Sequence, residues 1–199
     1  ITLTATGGSI GLSNASALSI GSGSLTATAS ADSQITGEIS LNAATGIGNG
    51  SGGGLSVAIP VPTGATVNTQ GVVSATATVG NVDLTGATGL LSLGAINAPG
   101  TVTLTADKLK VGAGVTAASA VVKPSTAGTA LDLGSATDLA ANTLELSSAE
   151  LGNLAVTTLE LGSATAGAIT VSSDVAPGAA TVHLKTGSSV SGAGGMTGN

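Results

Sequence analysis

Leu131-Asp132-Leu133-Gly134 and Leu159-Glu160-Leu161-Gly162 carry the pattern on which the fold turns: a branched aliphatic, one polar residue, a second branched aliphatic, then Gly. The same unit stands at Leu18 (LSIG), Leu91 (LSLG) and Leu109 (LKVG). Looser copies without the Gly begin at Ile1 (ITL), Ile39 (ISL), Val82 (VDL), Val102 (VTL), Leu144 (LEL), Ile169 (ITV) and Val182 (VHL). Successive side chains of an extended chain point to opposite faces, so two aliphatics flanking a polar residue make a short strand with one apolar face. The middle positions hold Ser19, Ser40, Asp83, Ser92, Thr103, Lys110, Asp132, Glu145, Glu160, Thr170 and His183. These are expected to face solvent, and their neighbours to point inward.

Turn signals separate the strands at short intervals: Gly7-Gly8, Gly21-Ser22-Gly23, Ala98-Pro99-Gly100, Pro124-Ser125 and Ala176-Pro177-Gly178. No helical stripe runs between them, so the chain reads as an all-β repeat. Two or so strands with their turns make one coil of roughly 20 residues. The expected fold is a parallel β-helix, a solenoid forming a single segment over residues 1–199, with about nine or ten coils and a rod on the order of 45 Å long at the ~4.8 Å strand spacing.

Composition agrees with a thin stacked core. The 199 residues are 42% hydrophobic yet contain no Phe, Tyr or Trp, so Ala, Val, Leu and Ile must build the interior alone. Aromatic side chains supply most of the buried area in thick globular cores. A chain without them needs a narrow, regular interior. A charged fraction of 7% and a mean hydropathy of +0.53 argue against disorder, which combines low hydrophobicity with high net charge.

Function classes fall away on the same grounds. Gly, Ser and Thr interrupt every apolar stretch well short of the roughly 18 to 20 residues that span a bilayer, so no membrane-spanning helix is expected. Nucleic acid needs a basic patch, whereas the cations here are Lys108, Lys110, Lys123 and Lys185 against a net charge of -6. Cysteine is absent, which removes disulfides and thiolate metal sites. The glycine tract from Gly46 to Gly54 lacks the Asp of calcium-binding GGxGxD repeats.

Two segments depart from the repeat. Residues 46–62 run from Gly, Asn and Ser into LSVAIPVP, where Pro60 and Pro62 cannot donate to a ladder, and are expected to leave the rod as a loop excursion. In Ser147–Leu154 (SSAELGNL), Ser147 and Glu150 have capping-box spacing ahead of Leu151 and Leu154, which permits one helical turn. The surrounding repeat favours a strand and turn there instead.

The stretch from Thr101 to Gly195 resembles the repeat region of filamentous haemagglutinin-like proteins, the large adhesins exported by two-partner secretion. The residues that carry the resemblance are VTLTADKLKVG, AVVKPSTAGTALDLG, LELSSAELGNLAVTTLELG, AGAITVSSDV and VHLKTGSSVSGAGG. The first hundred residues share only its composition and strand pattern. The resemblance implies a right-handed β-helix, a Gram-negative source, unfolded export across the outer membrane, an extracellular or cell-surface location, and a role in attachment or self-association. The family's amino-terminal secretion domain has no counterpart here and the chain opens in a strand at Ile1, so an internal piece of a longer protein is expected, with neither end capped.

No catalytic, cofactor-binding or metal-binding residue is assigned. His183, the single histidine, takes an outward position equivalent to Asp132 and Glu160, with no second His or Cys to complete a site. Asp132, Glu145 and Glu160 could pair for glycoside cleavage, but the aromatic platforms that bind sugar are missing. Thr-x-Thr units at Thr2/Thr4, Thr4/Thr6, Thr26/Thr28, Thr76/Thr78, Thr101/Thr103 and Thr103/Thr105 could order water as an ice-binding face if they recurred in every coil, but they stop before Leu131. High β-propensity explains them without ice. Asn14 and Asn49 stand in N-x-S contexts, which matter only in a glycosylating host, and Met196 reads as a gap filler. The expected function is therefore structural or adhesive and not enzymatic, with a self-assembling filament subunit and an ice-binding solenoid as alternatives. The expected partners are copies of itself, end to end or side by side, and a host or neighbouring cell surface, with no small-molecule substrate.

Overall fold

The fold is described from a computed structural model, which covers strands β1 (Thr2–Ala5), β2 (Ala17–Ile20), β3 (Thr26–Ala29), β4 (Glu38–Ala43), β5 (Leu55–Ala58) and β6 (Val72–Ala77), and then residues 81–198 continuously. The continuous part holds β7 (Val82–Thr88), β8 (Leu91–Asn97), β9 (Thr101–Thr105), β10 (Leu109–Val111), β11 (Val115–Lys123), β12 (Ala130–Leu133) and β13 (Thr143–Leu146). A short helix α1 (Ser148–Gly152) follows, then β14 (Leu154–Gly162), β15 (Ile169–Val171), β16 (Thr181–Lys185) and β17 (Val190–Gly192). The described residues are thus all-β apart from α1, as the period-two pattern dictates. Of the expected excursion at 46–62, Leu55–Ala58 forms β5, and 46–54 and 59–62 lie outside the described residues. Asn14 and Asn49 also lie outside them.

Every strand pairing among the described residues is parallel. Among the described residues, paired strands are not neighbours in sequence except for β12 and β13. β7 pairs β9 with Val82 opposite Val102, and β9 pairs β11 with Val102 opposite Ala120. The intervening strands pair among themselves, β8 with β10 and Leu91 opposite Leu109. A parallel pair needs a long crossover, and for β7–β9, β8–β10 and β9–β11 a strand of another ladder supplies it.

The registers shift between Val57 and Ala58 and between Val73 and Ala75 but align residue for residue from β7 through β9, β11 and β14 to β16, so the aliphatics stack in columns there. One column runs Val82, Val102, Ala120, Leu159, Val182, and the next runs Leu84, Leu104, Val122, Leu161, Leu184. A third stacks Leu144, Leu131 and Ile169, with Leu146, Leu133 and Val171 beside it. All these residues are buried except Val182 and Leu184, which are half-buried on β16. Each fully buried Leu contributes about 1.5–3 kcal/mol relative to exposure. A narrow column accepts Leu, Val and Ile at every step, which is why aromatic residues are not required.

Of the expected outward positions, the side chains of Ser19 and Ser40 lie outside the described ones, and the rest hold with two exceptions. Asp83, Thr103, Asp132, Glu160 and Thr170 are half-exposed, and Lys110 and His183 are exposed. Ser92 and Glu145, expected on the wet face, are buried. Glu145 is roofed by the 134–142 loop that hydrogen-bonds to it. Ser147–Leu154 also departs from the expected strand and turn. Residues 148–152 are helical, because Ser147 and Glu150 close a reciprocal capping box.

Among the described residues, polar side chains fasten each strand-turn to its counterpart in the next. Asp107 accepts the Ser125 N–H at 2.9 Å and the Thr126 N–H at 2.8 Å. Asn81 accepts the Thr101 N–H at 2.8 Å, and Asp174 accepts that of Gly195 at 2.7 Å. Burial opposes ionisation of Asp107, but the Thr126 and Ser125 hydrogen bonds prevail and hold its carboxyl below the usual carboxylate range.

Candidate functional site at the β12–α1 junction

The titratable groups concentrate where the strand order breaks. Chain order would set β12 next to β11's neighbour β10, yet β13 intervenes, and the sheet reads β13, β12, β15, β17. The 134–142 loop carries the chain back from β12 to β13, and α1 then delivers it to β14, which pairs β11 directly.

The helix replaces a strand at the edge of β10, and its side chains take over the ladder. The Val111 N–H donates to Glu150 Oε1 at 3.0 Å, and Asn153 Nδ2 donates to the Val111 carbonyl at 2.8 Å. Glu150 Oε2 accepts from the Ser147 N–H at 2.9 Å and the Ser147 hydroxyl at 2.7 Å. A carboxylate and an amide thus stand in for one peptide group of a missing strand, so backbone polar groups are not orphaned.

Glu145 organises the loop. Its carboxylate accepts from the Ser135 hydroxyl, from Thr137 Oγ1 at 2.6 Å and from the Ala140 N–H at 2.7 Å. Burial works against its charge, but hydrogen bonds from Ser135, Thr137, Ala140 and Leu139 outweigh that and bring its pKa down to about 2. Lys108 Nζ donates to the Ala140 carbonyl at 2.7 Å and pins the loop from the other side. Asp138 lies between, with φ 56. Burial, then the negative charges of Glu150 and Glu145, push its pKa up to about 6 against the pull of Lys110 and Lys108.

Glu145→Gln is expected to cost about 2 kcal/mol at pH 7, because a buried charged acceptor of several donors is replaced by an amide with one acceptor oxygen. A group whose pKa is lowered on folding stabilises above its ordinary value, here 4.5, and loses that contribution as pH falls toward 2. Urea melts of the two proteins should therefore differ at pH 7, with the gap closing as pH falls toward 2. A gap independent of pH would overturn this assignment.

The residues singled out in the sequence are dispersed. His183 is exposed on β16, opposite Glu160 in register. Glu160 pairs with Lys185 at 3.2 Å. Asp132 and Glu145 are register partners on β12 and β13, but Asp132 accepts from the Ser172 hydroxyl at 2.5 Å while Glu145 is engaged by the loop. The acids are thus committed to separate hydrogen-bond partners, and Glu160 belongs to another sheet. Thr101, Thr103 and Thr105 share one face of β9, but Thr103 stands between Asp83 and Val121. Asp138 and Asp107 were not legible as special, since nothing local marks which turn acid will be covered; the Ser147/Glu150 spacing was the one readable signal.

A shallow groove of about 370 Å³ crosses β11 and β14, lined by Ala117, Ala155, Val156, Thr157, Gly178 and Ala180. It offers no titratable side chain. Among the described residues no group of His, Cys, Asp and Glu is arranged to hold a metal ion, and no helix is long and apolar enough to cross a membrane. Comparisons with family models, curated proteins and solved structures gave no match.

Proposed function

We propose that the chain is a structural or adhesive segment of an extracellular right-handed parallel β-helix, resembling the repeat rods of filamentous haemagglutinin-like surface proteins, and that it self-associates end to end. The observation that carries this reading is that every described ladder is parallel and that strands of a neighbouring ladder make most of the crossovers. A solenoid would bring short strands back beside one another in this way, and a solenoid's surface is a scaffold rather than a cleft. The turn-to-turn hydrogen bonds and the aliphatic columns suit a load-bearing rod. The dispersed acids and the solitary exposed His183 favour no chemistry.

End-to-end association follows from open edges. β16 and β17 each pair on one side only among the described residues. Val182 and Leu184 remain half-exposed on β16, and Val190 on β17 is 51% exposed. An unpaired edge with apolar side chains recruits further strands. The closest rival, the ice-binding solenoid, gains nothing from the register, which sets Asp83 and Val121 against Thr103.

Sedimentation velocity across a hundredfold range of concentration is expected to show growing oligomers, and electron microscopy should show fibres. Fibre diffraction should give a repeat of about 4.8 Å along the axis. A monodisperse monomer at all concentrations would refute self-association.

A further inference from the structure

Outside the proposed rod function, the 134–142 loop carries a feature that the scaffold does not need. Asp138 Oδ1 is buried and has no hydrogen-bond partner among the described residues. Its neighbours cannot supply one. Glu145 and Glu150 are both acceptors, fully engaged by Ser135, Thr137, Ala140, Ser147 and Val111. Lys108 is spent on the Ala140 carbonyl. Lys110 is exposed on β10 and makes no ion pair with Asp138. The backbone at Asp138 is left-handed, φ 56, a conformation that Asp and Asn tolerate and most residues do not. An ionised Asp138 therefore places a third negative charge, with an unsatisfied oxygen, under the loop it belongs to.

We propose that the 134–142 loop is a proton-controlled latch, closed when Asp138 is neutral and loosened when Asp138 ionises. The step is a simple proton release from the Asp138 carboxyl to solvent. The charged groups facing it are Lys108 and Lys110 from β10, Glu145 from β13 and Glu150 from α1. The sign follows from linkage. Asp138 titrates near 6 in the closed loop against an ordinary 3.8, so the closed state holds its proton more tightly, and closure weakens as pH rises from 3.8 to about 6. Above that the effect is complete. The segment released carries Leu139, which is 55% exposed even in the closed state, so opening changes how an apolar side chain is displayed on the rod.

Hydrogen exchange on the full chain, corrected for intrinsic rates, tests the latch at residues 135–142 between pH 4.8 and pH 7. The opening equilibrium of the wild type should rise about tenfold over that range, with β14 protection unchanged. In Asp138→Asn, which keeps the left-handed backbone and the shape but cannot ionise, it should stay flat. The same rise in the variant, or a flat wild type, overturns the proposal. A carboxyl ¹³C titration of Asp138 in the wild type gives an independent reading: a midpoint near 6 is expected, and one near 4 would also overturn it.

Discussion

Leu133→Asp is expected to unfold the chain where Asp132→Ser, one residue away, is nearly silent. Leu133 is fully buried in the column between Leu146 and Val171. Replacing it removes a buried aliphatic, worth about 2–5 kcal/mol with the void left behind, and adds a carboxylate with no partner in a dry column, which costs several more. The sum rivals the whole stability of a typical domain. Leu131→Asp should behave alike. Asp132 points out and gives up only its bond with Ser172, so Asp132→Ser should change stability by less than about 1 kcal/mol. Urea melts followed by circular dichroism would decide the matter, and similar losses from Asp132→Ser and Leu133→Asp would sink the inward and outward assignment.

Gly162→Ala should come next in severity, and it accounts for the Gly that ends the LELG unit. Gly162 has φ 94, and a Cβ there would collide with the Lys185 carbonyl of the neighbouring strand. The left-handed backbone alone costs an Ala about 1–2 kcal/mol, and a carbonyl locked in a ladder cannot step aside. A loss of about 3 kcal/mol is expected, against almost none for Gly114→Ala, where a Cβ meets nothing within 4 Å and φ is ordinary. Thermal melts of the two variants make the comparison, and equal stability would remove the close approach as the reason for Gly162. Gly134 repeats the arrangement, with φ 112 and Ser173 in the way of a Cβ.

The contrast between these glycines and the residues of the junction shows where reading the chain succeeds. Strand existence, the inward Leu-x-Leu pairs and the absence of aromatics are consequences of a period of two and of side-chain volume, both local properties. Leu131, Leu133, Leu159 and Leu161 could be assigned to the core without knowing which strand each would meet. The glycines were visible as punctuation, but the carbonyl that excludes a Cβ at Gly162 comes from Lys185, 23 residues on.

Glu145 and α1 mark the other side of that line. A polar residue between two leucines is outward by alternation, and Glu145 obeys it; it is nevertheless buried because the 134–142 loop folds over it and donates to it. The capping-box spacing of Ser147 and Glu150 was present in the sequence, but neighbouring repeats argued for a strand, and the outcome turned on whether side chains could complete the open edge of β10. Glu150 and Asn153 do so at Val111. The sequence by itself thus determined an all-β chain with small-aliphatic columns and polar outer faces, because alternation and volume act within a few residues. The tertiary structure alone decided that β13 lies beyond β12, and that Asp138, Glu145 and Glu150 share one covered corner, because those outcomes depend on which backbone edges remain to be satisfied once distant strands have paired.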